Sequence, residues 1–141
     1  MLNDIKHQIS EEDFQKGLYV IQENERVLKA SQALMENDLT VFGQLLFEAH
    51  KGAKNQFKIS CDELDFLVDS AKGTDYILGA RMMGGGFGGC TINLIHKDFI
   101  SNFKDRVSAQ YQGRFGKECT FIHVALSKGT HKVESNLHPI I

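Results

Sequence analysis

The sequence has no tryptophan, no CxxC pair, no basic surplus and no long apolar run, and each absence removes a class of function. Sixteen basic residues against eighteen acidic ones leave a formal net charge of −2, without the positive face that binding nucleic acid normally requires. No apolar stretch approaches the roughly 20 residues needed to cross a bilayer. Met1-Leu2-Asn3-Asp4 is not a charged-then-apolar secretory start, so a cytoplasmic location is expected. Cys61, Cys90 and Cys119 are odd in number and widely spaced, as for buried free thiols in a reducing compartment. The histidines (His7, His50, His96, His123, His131, His138) show neither HxH nor HExxH spacing, so no metal site is expected.

What is present suits one compact domain: 141 residues, 42% of them hydrophobic and ten of them Phe. Ser10-Glu11-Glu12-Asp13 matches a capping box, in which the hydroxyl accepts an orphan backbone N–H. Phe14, Ile21, Leu28 and Met35 then recur on one face, flanked by Val20, Val27 and Leu34, which predicts a helix of about six turns. That stripe is either core or an interface. Asn37-Asp38 breaks the helix, Asp38 can cap a second one, and Gly52 is a natural stop, giving a helical hairpin over about 10–52.

Ser60-Cys61-Asp62-Glu63 reads as a second capping box, opening a helix with Leu64, Leu67, Val68 and Ala71 on one face and Gly73 beyond it. Strands are expected at Ile77–Met82 and Thr91–Ile95, a helix from about Asp98 carrying Phe99, Phe103, Val107 and Tyr111, and a third strand at Thr120–Leu126. A short strand near Lys132-Val133 completes the expectations. The fold class is α+β, a ferredoxin-like plait of antiparallel strands over about 57–134. The full βαββαβ order needs a leading strand, which residues 57–59 could supply or which could be missing.

Gly84-Gly85-Gly86-Phe87-Gly88-Gly89 is the strongest local signal. Glycine loses more conformational freedom on folding than any other residue, so five of them in six positions need a reason. The cluster matches GxGxxG formally, but a strand pattern follows it where a dinucleotide fingerprint requires a helix. No Lys follows to make a P-loop. Two uses remain open: a wide hairpin whose glycines supply positive φ, and a main chain stripped of side chains so that a phosphate or a partner can come close. Phe87 is expected to anchor the loop by packing down. Arg81 is expected in a surface ion pair, Cys90 in the core, and His50 as a cation at a helix C-terminus. Asp62, Glu63 and Asp65 complement the dipole of a first helical turn.

The segment Gly79-Ala80-Arg81-Met82-Met83-Gly84-Gly85-Gly86-Phe87-Gly88-Gly89-Cys90 closely resembles the third motif of galactokinases, members of the GHMP small-molecule kinase superfamily. Ile59-Ser60-Cys61-Asp62-Glu63-Leu64-Asp65 is similar to the segment preceding that motif. Glu23-Asn24-Glu25-Arg26 and Glu48-Ala49-His50 also fall where similar residues occur in the family. The similarity runs from about His7 to Leu126. It implies a GHMP-kinase C-terminal domain whose loop, Gly84 to Gly89, lies near the phosphates of ATP during Mg²⁺-dependent phosphorylation of galactose.

The resemblance also implies that the galactose signature, the Gly/Ser-rich ATP loop and the catalytic aspartate belong to an N-terminal catalytic domain absent here. The chain would then have no catalytic residue of its own, no tightly bound cofactor, and that domain as its partner. Met83 departs from the family, many members of which carry Thr there. A rival expectation is a standalone binding or regulatory module using the same loop for a small anion or a partner.

Overall fold

The computed structural model describes residues 2–126 and residue 129. A 3-10 turn, Asn3–Gln8, leads into helix α1, Glu11–Met35. Its cap is the one expected, with Ser10 Oγ accepting the Asp13 N–H at 3.0 Å. Asn37, at φ 56°, ends the run, and Asp38 caps α2, Leu39–Gly52, by accepting the Val41 N–H at 2.9 Å. The helical hairpin thus forms where it was expected.

The face that α1 buries differs from the expected stripe. Phe14 is buried, but Ile21, Leu28 and Met35 stand exposed, and the rest of the inner face is Tyr19 and Ala33. The reason lies in α2: a Cβ on Gly52 would sit 2.7 Å from the Tyr19 ring, so the missing side chain makes room for that ring. Tyr19 then joins Ala53, Leu64 and Met82 in one core cluster. An apolar strip that includes Val27, Leu28, Leu34 and Met35 is left facing outward.

Past Gly52 the chain continues in a π turn, Ala53–Phe57, closed by left-handed Lys58 at φ 58°. The optional strand at residues 57–59 is therefore replaced by this turn, whose end spends the Ile59 amide on the Ala53 carbonyl at 3.0 Å. Helix α3, Asp62–Ala71, starts with Cys61 as a cap without a side-chain bond. The expected Ser60 capping box does not form, because the Ser60 hydroxyl donates to Asp65 Oδ1 at 2.6 Å instead.

Strands β1, Ile77–Met83, and β2, Cys90–Ile95, pair antiparallel, from Met83 opposite Cys90 to Ile77 opposite Ile95, with an irregularity at Leu78. After a 3-10 turn, Lys97–Phe99, helix α4 spans Ile100–Phe115 and ends at left-handed Gly116. Among the described residues the sheet has two strands. Residues 120–126, expected as a third, are unpaired; among the described residues the leading strand beside which they would lie in the expected plait is not formed. Phe121 still packs edge-on against Phe103 of α4 at 6.5 Å, while Ile122 and Val124 are exposed. The strand expected near Lys132-Val133 lies outside the described residues. Among the described residues the architecture is α+β, helix-rich around one antiparallel hairpin.

Val68 and Ala71 of α3, Ile77 and Ala80 of β1, and Phe103 and Val107 of α4 form the main core. Helix α2 approaches β1 main chain to main chain. A Cβ on Gly43 would lie 2.1 Å from the Leu78 carbonyl oxygen, and one on Gly79 would lie 2.3 Å from the Gly43 carbonyl oxygen. Neither partner is a flexible side-chain end, so the contact tolerates nothing larger than glycine. Substitution Gly43→Ala should therefore destabilise the chain by at least about 2 kcal/mol, read as a lower urea midpoint. Gly113 sits inside α4 with open space around it; Gly113→Ala should stabilise the chain by about 0.5–1 kcal/mol, read as a higher urea midpoint.

Candidate functional site: the glycine hairpin loop and its support

Six residues join the last β1–β2 pair. Gly84 (φ 89°), Gly86 (91°), Gly88 (144°) and Gly89 (99°) all occupy backbone conformations that side chains disfavour, as does Phe87 at 59°. The glycines divide by surroundings. Around Gly84, Gly85 and Gly88 an added Cβ would meet nothing within 4 Å. At Gly86 it would lie 2.2 Å from the Ile59 carbonyl oxygen. The same carbonyl accepts the Phe87 N–H at 2.7 Å. One glycine therefore seats the loop on the segment before α3, and the others leave clear space above it.

Phe87 does not anchor the loop. Its ring is 75% exposed, because the main chain of residues 86–87 lies directly on Ile59 and leaves no room for a ring between them. Cys90, expected in the core, is exposed at the start of β2, and Met83 opposite it is half-exposed. His96 lies 3.5 Å from Asp98 at the surface, and His123 is exposed; His131 and His138 lie outside the described residues. Among the described residues no group of three or more His, Cys, Asp or Glu side chains converges as a metal site would.

Beneath the loop's entry strand lies a polar network that sequence reasoning missed. His50 lies at the end of α2, where a cation was expected, but it is buried at 3% exposure, and burial disfavours the charged ring. Its Nδ1 accepts the Met82 N–H at 3.2 Å, which places the ring proton on Nε2, 3.2 Å from Asp65 Oδ1. Asp65 also takes the Ser60 hydroxyl and the Lys54 ammonium, the latter at 2.9 Å. The available signal was that His50 and the Ser60–Asp65 pair both fall in segments bearing the family resemblance.

Burial pushes the His50 imidazole below its ordinary value, and the opposing pull of Asp65 does not make up the difference. Burial alone would raise the Asp65 carboxyl. The hydrogen bonds from Lys54 and Ser60 outweigh that and leave it lowered. The bond to Asp65 raises the Lys54 ammonium in turn.

A second charged group joins α1, α2 and β1. Arg26 pairs with Glu23 and lies 3.7 Å from Glu48 Oε2. Arg81 reaches Glu23 at 3.7 Å and donates from Nε to the Met82 carbonyl at 3.1 Å. Arg81 thus makes the expected ion pair, on the strand that leads into the loop.

The chain belongs to the family of GHMP kinases, whose C-terminal model it matches over residues 30–113. The relatives it resembles are galactokinases. It is 42% identical over 118 residues to that of Clostridium beijerinckii, covering 84% of this chain and 30% of the relative. It is 43% identical to that of Thermotoga neapolitana, covering 84% and 34%. The crystal structure of Lactococcus lactis galactokinase, solved with galactose, superposes with a TM-score of 0.78 at 33% identity, over 83% of this chain and 30% of that one. The chain thus spans about a third of the length of the relatives it matches. Among the described residues no helix is long and apolar enough to cross a membrane.

The native His50 ring resists protonation more than the unfolded one does, so the native state binds fewer protons. Its contribution to stability is complete above the ordinary imidazole value of 6.5 and declines as pH falls below it. The lowered Asp65 keeps its contribution down to the carboxylate range near 3.8, so the two windows stay separate. Urea midpoints at pH 7.5 and 5.5 should differ in the wild-type chain, with the lower value at pH 5.5. His50→Asn should narrow that difference; an equal pH dependence in both proteins would show that His50 does not carry it.

Proposed function

We propose that this chain is the part of a galactokinase that presents a glycine loop to the phosphates of ATP, in the cytoplasm, during phosphorylation of galactose to galactose 1-phosphate. The observation that carries the proposal is the loop's divided environment. Gly86 and Phe87 hold it against Ile59, while Gly84, Gly85 and Gly88 keep open space above a fixed main chain. An anion can come close to such a backbone, and its amides are already in place before it arrives. Phosphoryl transfer depends on positioning and on electrostatic stabilisation, so a rigid main-chain wall is the contribution one expects from a part without reactive side chains.

Mg²⁺ would supply charge neutralisation of the phosphates, with its ligands contributed by the remainder of the enzyme. The sugar-binding and catalytic groups lie, on this proposal, in the two-thirds of the relatives that the chain does not match. The outward strip of α1 (Val27, Leu28, Leu34, Met35) is the surface that this remainder would cover.

Two measurements test the proposal. The chain alone should release no ADP in a galactose-dependent manner; release from pure protein would overturn it. In a chimera carrying this chain in place of the matching third of the Clostridium beijerinckii galactokinase, Gly85→Val should raise KM for ATP about tenfold or more at unchanged melting temperature. Gly85 has open space around it and no positive φ, so a side chain there burdens the ligand and not the fold. Wild-type kinetics in Gly85→Val would remove the loop from the phosphate site. Gly86→Val should lower both turnover and melting temperature, because its side chain would strike Ile59.

A further inference from the structure

The contacts around the loop close into a circuit. From the His50 ring, Nδ1 holds the Met82 amide, two residues before Gly84. The chain then runs through the glycines to Phe87, whose N–H is held by the Ile59 carbonyl. Ile59 is bonded to Ser60, Ser60 donates to Asp65, and Asp65 faces Nε2 of the same His50 ring. The root of the loop on β1 and its far side at Phe87 are thus both referenced to one buried side chain.

We infer that His50 is the positioning residue of the glycine loop, holding its strand root through Nδ1 and its tip through Asp65, Ser60 and Ile59. The inference rests on the loop's proposed role beside the nucleotide phosphates and names the residue that keeps it in place. His50 touches no ligand itself. Three features separate this role from simple core packing. Both ring nitrogens are engaged, on two different elements. The Met82 amide belongs to the strand end that enters the loop, not to its middle. Asp65, which faces the second nitrogen, has its other partners on the segment that seats Gly86 and on the preceding turn.

The two amide isosteres of histidine divide the circuit. Asn at position 50 offers a carbonyl oxygen near the place of Nδ1, and Gln offers an N–H near the place of Nε2. Amide hydrogen exchange of the chain, without nucleotide, reads the loop directly. His50→Gln keeps the N–H toward Asp65 and loses the acceptor for Met82, so the Met82 amide should exchange about five- to tenfold faster, the effect of one lost hydrogen bond. His50→Asn keeps that acceptor and loses the Asp65 arm, so Phe87 should exchange faster and Met82 by about twofold at most. Equal Met82 rates in the two variants, or wild-type rates in His50→Gln, would overturn the inference. Should His50→Gln fail to fold, Ser60→Ala replaces it: Phe87 should exchange faster with Met82 unchanged, and wild-type exchange at Phe87 sinks the circuit.

In the galactokinase chimera His50→Gln and His50→Asn, each of which cuts one arm of the circuit, should raise KM for ATP several-fold and leave KM for galactose unchanged. A general loss of fold would move both constants together. Exchange that responds to His50→Gln while KM for ATP stays at its wild-type value would uphold the positioning and overturn only the nucleotide role.

Discussion

The arrangement depends on a place where two pieces of main chain touch without side chains between them, Gly43 of α2 against Leu78 and Gly79 of β1. From that crossing the two elements run in register. Seven residues of helix advance about 10.5 Å, and three residues of strand advance about 10 Å. Seven residues on from Gly43 is His50; three on from Gly79 is Met82. The close approach therefore delivers an imidazole to an amide that would otherwise have no side-chain acceptor beside it. Any widening at the glycines would open the gap at the ring, which ties the packing of α2 to the shape of the loop.

Magnitudes separate the interactions that matter here. The surface pairs Lys16–Glu12 and Lys72–Asp69 are exposed and each contributes between nothing and about 1 kcal/mol. The buried ring differs, since removing one partner strands a polar group away from water at about 1–3 kcal/mol. Burial is also what keeps the ring neutral. A proton on Nδ1 would face the Met82 N–H, donor against donor, so the charged form opposes the geometry as well as the solvation.

Local chemistry was legible in the sequence wherever the decisive partner was near in the chain. Ser10 and Asp38 cap the helices they precede because each bonds an N–H three residues on. The two strands and the loop between them followed from apolar stretches on either side of a glycine cluster. Legibility failed where a distant residue decided the outcome. Which face α1 buries depends on Gly52 making room for Tyr19. Ser60 abandoned its helix N-terminus for Asp65, and His50, expected as a cation, became a buried ring held between Met82 and Asp65. Phe87 was misplaced for a similar reason: an aromatic ring among glycines suggests packing, but the main-chain contact to Ile59 had already closed that space. The third strand failed differently, since its own pattern was sound and its pairing partner was not formed among the described residues.

Because the loop is held by an amide, a carbonyl and a missing Cβ, its course is insensitive to what hangs from it. The positions that do carry side chains, Met83 and Phe87, point into free volume. At Met83 the side chain can change without shifting the backbone, whereas Phe87, at φ 59°, still limits which side chains its position tolerates. The shape of the loop is therefore set at the glycines, and a changed side chain at position 83 alters what the loop presents without altering its course.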